Sequence, residues 1–189
     1  MISKTLDSFS FKTISQTMVA QVILGMMLMT ICSNIQIPLK PVPITLQTVG
    51  VLFIGIMYSP RNAFITLASW IVVGAMGAPV FADFVGGMAK ILGPTGGYIL
   101  SWPITAYVVS SLQQNLLKDK LPLMTLNILI GTCIIYVIGV SWLRFFVGSF
   151  EQALNLGLYP FILPGLIKAA ILSICLYSLK KSLRLKKKG

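Results

Sequence analysis

The stretch LPLMTLNILIGTCIIYVIGVSWL, from Leu121 to Leu143, contains no Asp, Glu, Lys or Arg. A helix needs about 20 apolar residues to cross ~30 Å of hydrocarbon, so this interval is long enough for one membrane span. Backbone groups without partners cannot face lipid, which favours a helix here. Five further intervals are of similar length, and only the last of them holds a charge, Lys168: Thr13–Leu39, Pro41–Pro60, Asn62–Ala82, Ile91–Leu117 and Gln152–Leu179.

The composition agrees with these intervals. Of the 189 residues, 56% are hydrophobic and only 10% are charged, with a mean hydropathy of +0.89, whereas soluble domains are about one quarter charged. The apolar runs do not alternate with polar residues as they do in a membrane β-barrel. We predict an all-α integral membrane protein, a compact bundle of six transmembrane helices in one domain, 1–189, with helices at 17–37, 44–58, 62–79, 97–117, 122–144 and 158–179 and a basic cytoplasmic tail at 180–189.

The positions of Lys and Arg predict the orientation, because positively charged loops stay on the cytoplasmic side. With six spans both termini share a side, which we predict to be the cytoplasmic side of the inner membrane. The other side keeps only Lys40, Lys90 and Arg144. The cytoplasmic side collects Lys4, Lys12, Arg61, Lys118, Lys120, Lys180, Lys181, Arg184, Lys186, Lys187 and Lys188. The first interval is too long for a signal peptide and is interpreted as a retained helix. The net charge of +11 reflects topology and anionic lipid, not a nucleic-acid partner.

Residues that would serve catalysis or metal binding are scarce. The chain has no histidine, and its acidic residues form no pair in the sequence. The three cysteines have no paired spacing, so neither a disulfide framework nor a zinc site is predicted. The string GPTGGY, Gly93 to Tyr98, does not match the phosphate-binding G-x-x-x-x-G-K-[ST] pattern. We therefore predict no enzyme activity, cofactor or metal, and any pumping energy must come from a partner or an ion gradient.

Two connections on the outer side are unusual in composition. The first, IPLKPVPITLQ from Ile37 to Gln47, is held extended by its prolines. The second, from Pro79 to Tyr98, is rich in glycine and carries only Asp83 and Lys90 as charges. Glycine permits close backbone approach, and irregular backbone at membrane depth is tolerated where it covers a cavity. We predict that this segment folds over a ligand cavity; the alternative is a flexible surface loop.

Lys168 is the most informative single residue, because an ionisable side chain inside a span indicates function by default. It lies eight residues beyond Pro160, or about 12 Å at about 1.5 Å per residue, which places it in the outer half of the last span. The alternative is a lysine that extends to the outer headgroups. A cation with amide and hydroxyl groups suits a small carboxylated ligand with a polar head. The predicted substrate-binding residues are Lys168, Asp83, Tyr98, Gln47, Asn34 and Arg144. Trp70, Phe81, Phe84 and Trp102 are candidates for an aromatic lining or for interfacial belts.

Four strings resemble one family of membrane proteins. They are PVPITLQT (Pro41 to Thr48), SPRNA (Ser59 to Ala63), GAPVFADF (Gly77 to Phe84) and GPTGGY (Gly93 to Tyr98). All four resemble the BioY family, the biotin-specific substrate-binding subunits, or S components, of energy-coupling factor (ECF) transporters. The resemblance covers about Thr17 to Leu179. It implies six membrane helices, a high-affinity biotin site near the outer face, and coupling to a transmembrane subunit with paired cytosolic ATPases.

The resemblance also assigns two residues and shows two departures. Lys168 matches the ligand-binding lysine of the last helix, and Asp83 matches a ligand-facing polar position. Gly165 stands where the family has an aspartate, and we hypothesise that Asp83 replaces it. In the first helix Ala20 is followed by Leu24 and Gly25 instead of the A-x-x-x-A docking pattern, which leaves solitary or oligomeric function open. The alternatives are a structural or channel-like membrane protein, an S component for another vitamin and, more distantly, an intramembrane enzyme.

Overall fold

The computed structural model describes residues 18–117 and 120–186, and this part of the chain is mostly helical. Eight α-helices lie within it, and Ala82–Phe84 form a short 3-10 helix. The α-helices are α1 (Met18–Asn34), α2 (Gln47–Met57), α3 (Pro60–Ala75), α4 (Met88–Leu92), α5 (Gly96–Asn115), α6 (Leu121–Val147), α7 (Phe150–Gly157) and α8 (Tyr159–Lys186). Lys4, Lys12, Lys118, Lys187 and Lys188, which contribute to the predicted orientation, lie outside the described residues, as does the predicted helix start at Thr17.

Two of these helices are long and apolar enough to cross a membrane, judged by length and composition. They are α6, over Leu121–Val147, and the part of α8 from Tyr159 to Ser182. Helices α1 and α2 are apolar but shorter. The uncharged stretch that begins at Leu121 thus lies in the first of the two spanning-length helices.

The helix ends follow from local sequence. The hydroxyl of Ser59 accepts the backbone N–H of Asn62 at 3.4 Å and starts α3, with Pro60 at its first position, where proline fits because that N–H has no helical partner. Gly148, with φ at 85°, ends α6. Such a left-handed residue is the usual place for glycine beyond a helix. Ser149 then caps α7, a short helix that the sequence pattern does not predict.

The first Pro-rich connection contains a small hairpin. Strands β1 (Gln36–Ile37) and β2 (Ile44–Thr45) are antiparallel, with Gln36 opposite Thr45. Because Ile44 and Thr45 are extended, α2 begins at Gln47 instead of at position 44. At the other end of the chain, α8 does not stop at Leu179 but continues as a helix to Lys186.

Helix α5 lies at the centre, where it packs against α2, α3 and α6, while α8 packs against α2, α6 and α7. The close approach of α5 and α6 depends on Gly139, since a β-carbon there would collide with the Tyr98 ring. The core has two parts. One is aliphatic, around Leu52, Ile128 and Leu176. The other is rich in aromatic residues and includes Trp70, Phe81, Tyr98, Trp102 and Phe161.

Candidate binding site

A cavity opens in the aromatic-rich part of the core. It contains about 600 Å³ of space free of protein atoms, and this figure includes space that is open to solvent. Its walls come from β2, α2, α5, α6, α8 and the segment of residues 80–95, which we call the covering segment. The lining residues are Val42, Pro43, Thr45, Gln47, Thr48, Phe81, Ala82, Lys90, Thr95, Tyr98, Ile99, Trp102, Ile135, Tyr136, Phe161 and Lys168.

Lys168 reaches this cavity from α8. Its ammonium group donates a hydrogen bond to the backbone carbonyl of Thr45 at 2.8 Å, and the side chain is half-buried. An ammonium group has three N–H donors, so two remain for a ligand. Lys168 therefore joins the last helix to β2 and presents a cation to the cavity.

Behind Thr45 lies a chain of three further hydrogen bonds, which we call the polar chain. The Thr45 hydroxyl donates to Gln47 Oε1 at 2.8 Å. Gln47 Nε2 donates to the Ser33 hydroxyl at 2.9 Å, and that hydroxyl donates to the Val80 carbonyl at 2.9 Å. Ser33, Thr45 and Gln47 are all buried. Buried polar groups need such partners, and these fix the β2 wall against the start of the covering segment.

The other walls are largely apolar. Phe81 is fully buried and packs edge-on against Trp70, with ring centroids 5.0 Å apart. Trp102 lies 5.5 Å from the same Trp70 ring. The Trp102 indole N–H and the Thr105 hydroxyl are buried without a hydrogen-bond partner among the described residues. The cavity thus has an aromatic surface.

The covering segment is fastened at several points. Asp83 and Phe84 adopt left-handed backbone conformations, with φ at 66° and 52°. The Phe84 N–H donates to Asn34 Oδ1 at 2.9 Å, and Gln36 donates to the Asp83 carboxylate. The Gly87 N–H donates to the Gly74 carbonyl at 2.7 Å. These contacts attach the segment to the ends of α1 and α3, next to the cavity.

The predicted site residues fall into three groups. Lys168, Gln47 and Tyr98 line the cavity together, and the Tyr98 hydroxyl donates to the Gly157 carbonyl at 2.8 Å. Asn34 and Asp83 hold the covering segment instead of lining the cavity, and Asp83 is exposed. Arg144 is exposed on α6 and does not line the cavity.

The candidate set omits five polar residues that the structure places on the cavity: Thr45, Thr48, Lys90, Thr95 and Tyr136. The sequence does contain a signal for Lys90, because Lys90 and Asp83 are the only charged residues of the glycine-rich connection. Tyr136 carries no such signal, since a tyrosine within a span is also common at the interface. Within 18–117 and 120–186, no group of three or more Cys, Asp or Glu residues could hold a metal ion.

The fold and the cavity define a helical protein with a partly enclosed, largely apolar binding cavity that two lysines line. A model of the BioY family matches residues 4–185. The chain belongs to the BioY family. It is a membrane protein of a transporter family.

Relatives in this family share most of the chain. "Probable biotin transporter BioY" of Pyrococcus horikoshii is 41% identical over 152 residues, which cover 80% of this chain and 89% of that protein. A protein of the same name from Rickettsia prowazekii is 38% identical over 168 residues, or 89% of this chain and 85% of that one. The crystal structure of the S-component for biotin from an ECF-type ABC transporter is 25% identical, with a TM-score of 0.75, covering 87% of this chain and 90% of that chain.

Proposed function

We propose that this protein binds biotin with high affinity and takes it up across the cytoplasmic membrane, as the substrate-specific subunit of an ECF-type transporter. The observation that carries the proposal is Lys168, a cation on the spanning-length helix α8 that lines the cavity. The names of the relatives supply the ligand, and the likeness to the biotin S-component supplies the transporter class.

We further propose six transmembrane helices with both termini in the cytoplasm. The six long apolar intervals, uncharged apart from Lys168 in the last, support the number of spans, and the excess of Lys and Arg on one side supports the orientation. The cavity then opens toward the outside, and the glycine-rich covering segment closes over it. The chain itself acts without a catalytic site.

In this assignment Lys168 binds the ligand directly, Gln47 and Tyr98 shape the wall, and Asn34 and Asp83 act by holding the covering segment. The aromatic side chains accommodate the apolar body of the ligand. A transmembrane subunit and paired ATPases would energise the transport, and co-purification of the tagged protein from its native membrane tests for them. Recovery of the chain alone or with copies of itself would instead support solitary or oligomeric function.

Titration of the purified protein with biotin tests the ligand assignment. Trp102 lines the cavity, so bound biotin should change tryptophan fluorescence, and calorimetry should detect heat. A hydrogen bond from a charged donor contributes about 1.5–3 kcal/mol, so Lys168→Ala should weaken binding by about 10- to 150-fold. Asp83→Ala should weaken it by a smaller factor. Lys181→Ala, an exposed lysine of the same helix, should bind as the wild type does.

Two results would count against the proposal. If riboflavin or thiamine binds and biotin does not, the chain is an S component for another vitamin. If Lys168→Leu leaves uptake unchanged and makes the protein more stable, Lys168 only extends to the headgroups, and the structural or channel-like alternative is favoured.

A further inference from the structure

The charge of the cavity lining comes from two lysines. Among the described residues that line the cavity, Lys90 and Lys168 carry charge and none is acidic. Asp83, the acidic residue of the covering segment, is exposed and accepts a hydrogen bond from Gln36. The cavity lining is therefore cationic and suits an anionic ligand.

The two lysines differ in their partners. Lys168 already donates to the Thr45 carbonyl. The Lys90 ammonium group has no hydrogen bond or ion pair within the described part of the chain, although its side chain is half-buried. A ligand anion could therefore accept a charge-assisted hydrogen bond from Lys90 without displacing another partner.

The position of Lys90 is set by its backbone. Its N–H donates to the Gly87 carbonyl at 3.2 Å, its carbonyl accepts the Thr95 hydroxyl at 3.5 Å, and the next residue, Ile91, is buried. The start of the covering segment is held separately, at Gly74 and Asn34. The cation is thus carried by an anchored turn of helix, not by a free loop.

The two lysines also come from different walls. Helix α4, which carries Lys90, packs against α3 and α5, whereas α8, which carries Lys168, packs against α2, α6 and α7. Lys168 also borders a second, smaller cavity between α2, α6 and α8, with Gly165 and Leu172, and Lys90 does not. The two cations therefore reach the same cavity from different helices.

We propose that Lys90 is a specificity-determining residue that binds the carboxylate of the ligand, while Lys168 serves the other polar end. This inference rests on the proposed function, since it takes biotin as the ligand. A carboxylate at one end of an apolar body and a polar ring at the other matches two cations on separate walls of an aromatic cavity. A charge-assisted hydrogen bond to the carboxylate is the strong kind.

Paired ligands of different charge test this role directly. Binding of biotin and of biotinamide, in which a neutral amide replaces the carboxylate, is measured for the wild type, Lys90→Gln, Lys90→Arg and Lys168→Ala. We expect Lys90→Gln to weaken biotin binding by about tenfold or more and to leave biotinamide binding within about twofold. Lys90→Arg should keep the preference for biotin, and Lys168→Ala should weaken both ligands. Lys40→Gln, an exposed lysine of the first Pro-rich connection, is the matched control.

The outcomes separate this inference from the proposed function. If the wild type binds biotin and Lys90→Gln weakens both ligands equally, or neither, the role of Lys90 is overturned and biotin binding stands. A loss of preference in Lys90→Arg would also overturn it. If the wild type binds neither ligand, the proposed function fails and the inference fails with it.

Discussion

A methyl group added at Gly74 should push the Phe81 ring toward the ligand cavity. A β-carbon at Gly74 would collide with the Phe81 ring, closest to its Cζ and 2.6 and 2.7 Å from Cε1 and Cε2. The optimal separation is about 3.5–4.0 Å, so the ring must move by more than about 1 Å. Because Phe81 lines the cavity, we expect the ring to move into it. Bound biotin must push it back, so the overpacking energy, about 1–3 kcal/mol, appears as a loss of affinity of about 5- to 150-fold.

A double-mutant cycle measures this coupling. Biotin is titrated against Gly74→Ala, Phe81→Leu and the double variant, with tryptophan fluorescence as the readout. Since the shorter leucine makes room for the methyl group, the double variant should bind about as well as Phe81→Leu alone. The two binding losses should therefore not add, and the deviation from additivity should lie in the range of about 0.5–3 kcal/mol that is common for residues in contact. Val72→Ile, which adds one carbon at an exposed position of the same helix, is the control. Affinity within twofold of the wild type for Gly74→Ala, or losses that simply add, would refute the reasoning.

Two further predictions concern hydroxyl groups near the cavity. Tyr98→Phe leaves the buried Gly157 carbonyl without its donor and should lower the free energy of unfolding by about 1–3 kcal/mol, seen as a lower melting temperature in detergent; an unchanged temperature would contradict this. A β-carbon at Gly165 would lie 3.0 Å from the Tyr136 hydroxyl, so Gly165→Asp should weaken biotin binding by about tenfold through crowding. Adding Tyr136→Phe should restore part of the affinity, and a titration in which it restores none would exclude crowding as the cause.

The sequence predicts the position of a residue along a helix but not its direction around the helix axis. Uncharged runs and one interrupting cation predict how far Lys168 lies along its span, and the structure places it on the cavity. Arg144 is likewise a single cation beside a long apolar run, but successive residues of a helix point about 100° apart. Its neighbour Leu143 is fully buried, so Arg144 is exposed. Only packing between helices decides which of the two faces inward.

Residues in the irregular segments were the hardest to place. Asp83 follows a string that resembles the family pattern, yet its left-handed backbone directs it to Gln36 and away from the cavity lining. Lys90 carries the right chemistry, but its role depends on α4, a helix too short to be indicated by periodicity. Contacts between residues far apart in sequence, such as Lys168 with Thr45, have no local signature.

The polar chain has a consequence for how this protein can change during evolution. Ser33, Thr45 and Gln47 each use their side chains on one another or on Val80, so replacing one of them leaves a buried neighbour unpaired, at a cost of about 1–3 kcal/mol. Altering the preferred ligand through these positions would need several substitutions at once. The Lys90 ammonium group, in contrast, has no hydrogen-bond partner among the described residues. Substitutions that change the preferred ligand should therefore occur first on the covering segment, while the residues of the polar chain stay unchanged.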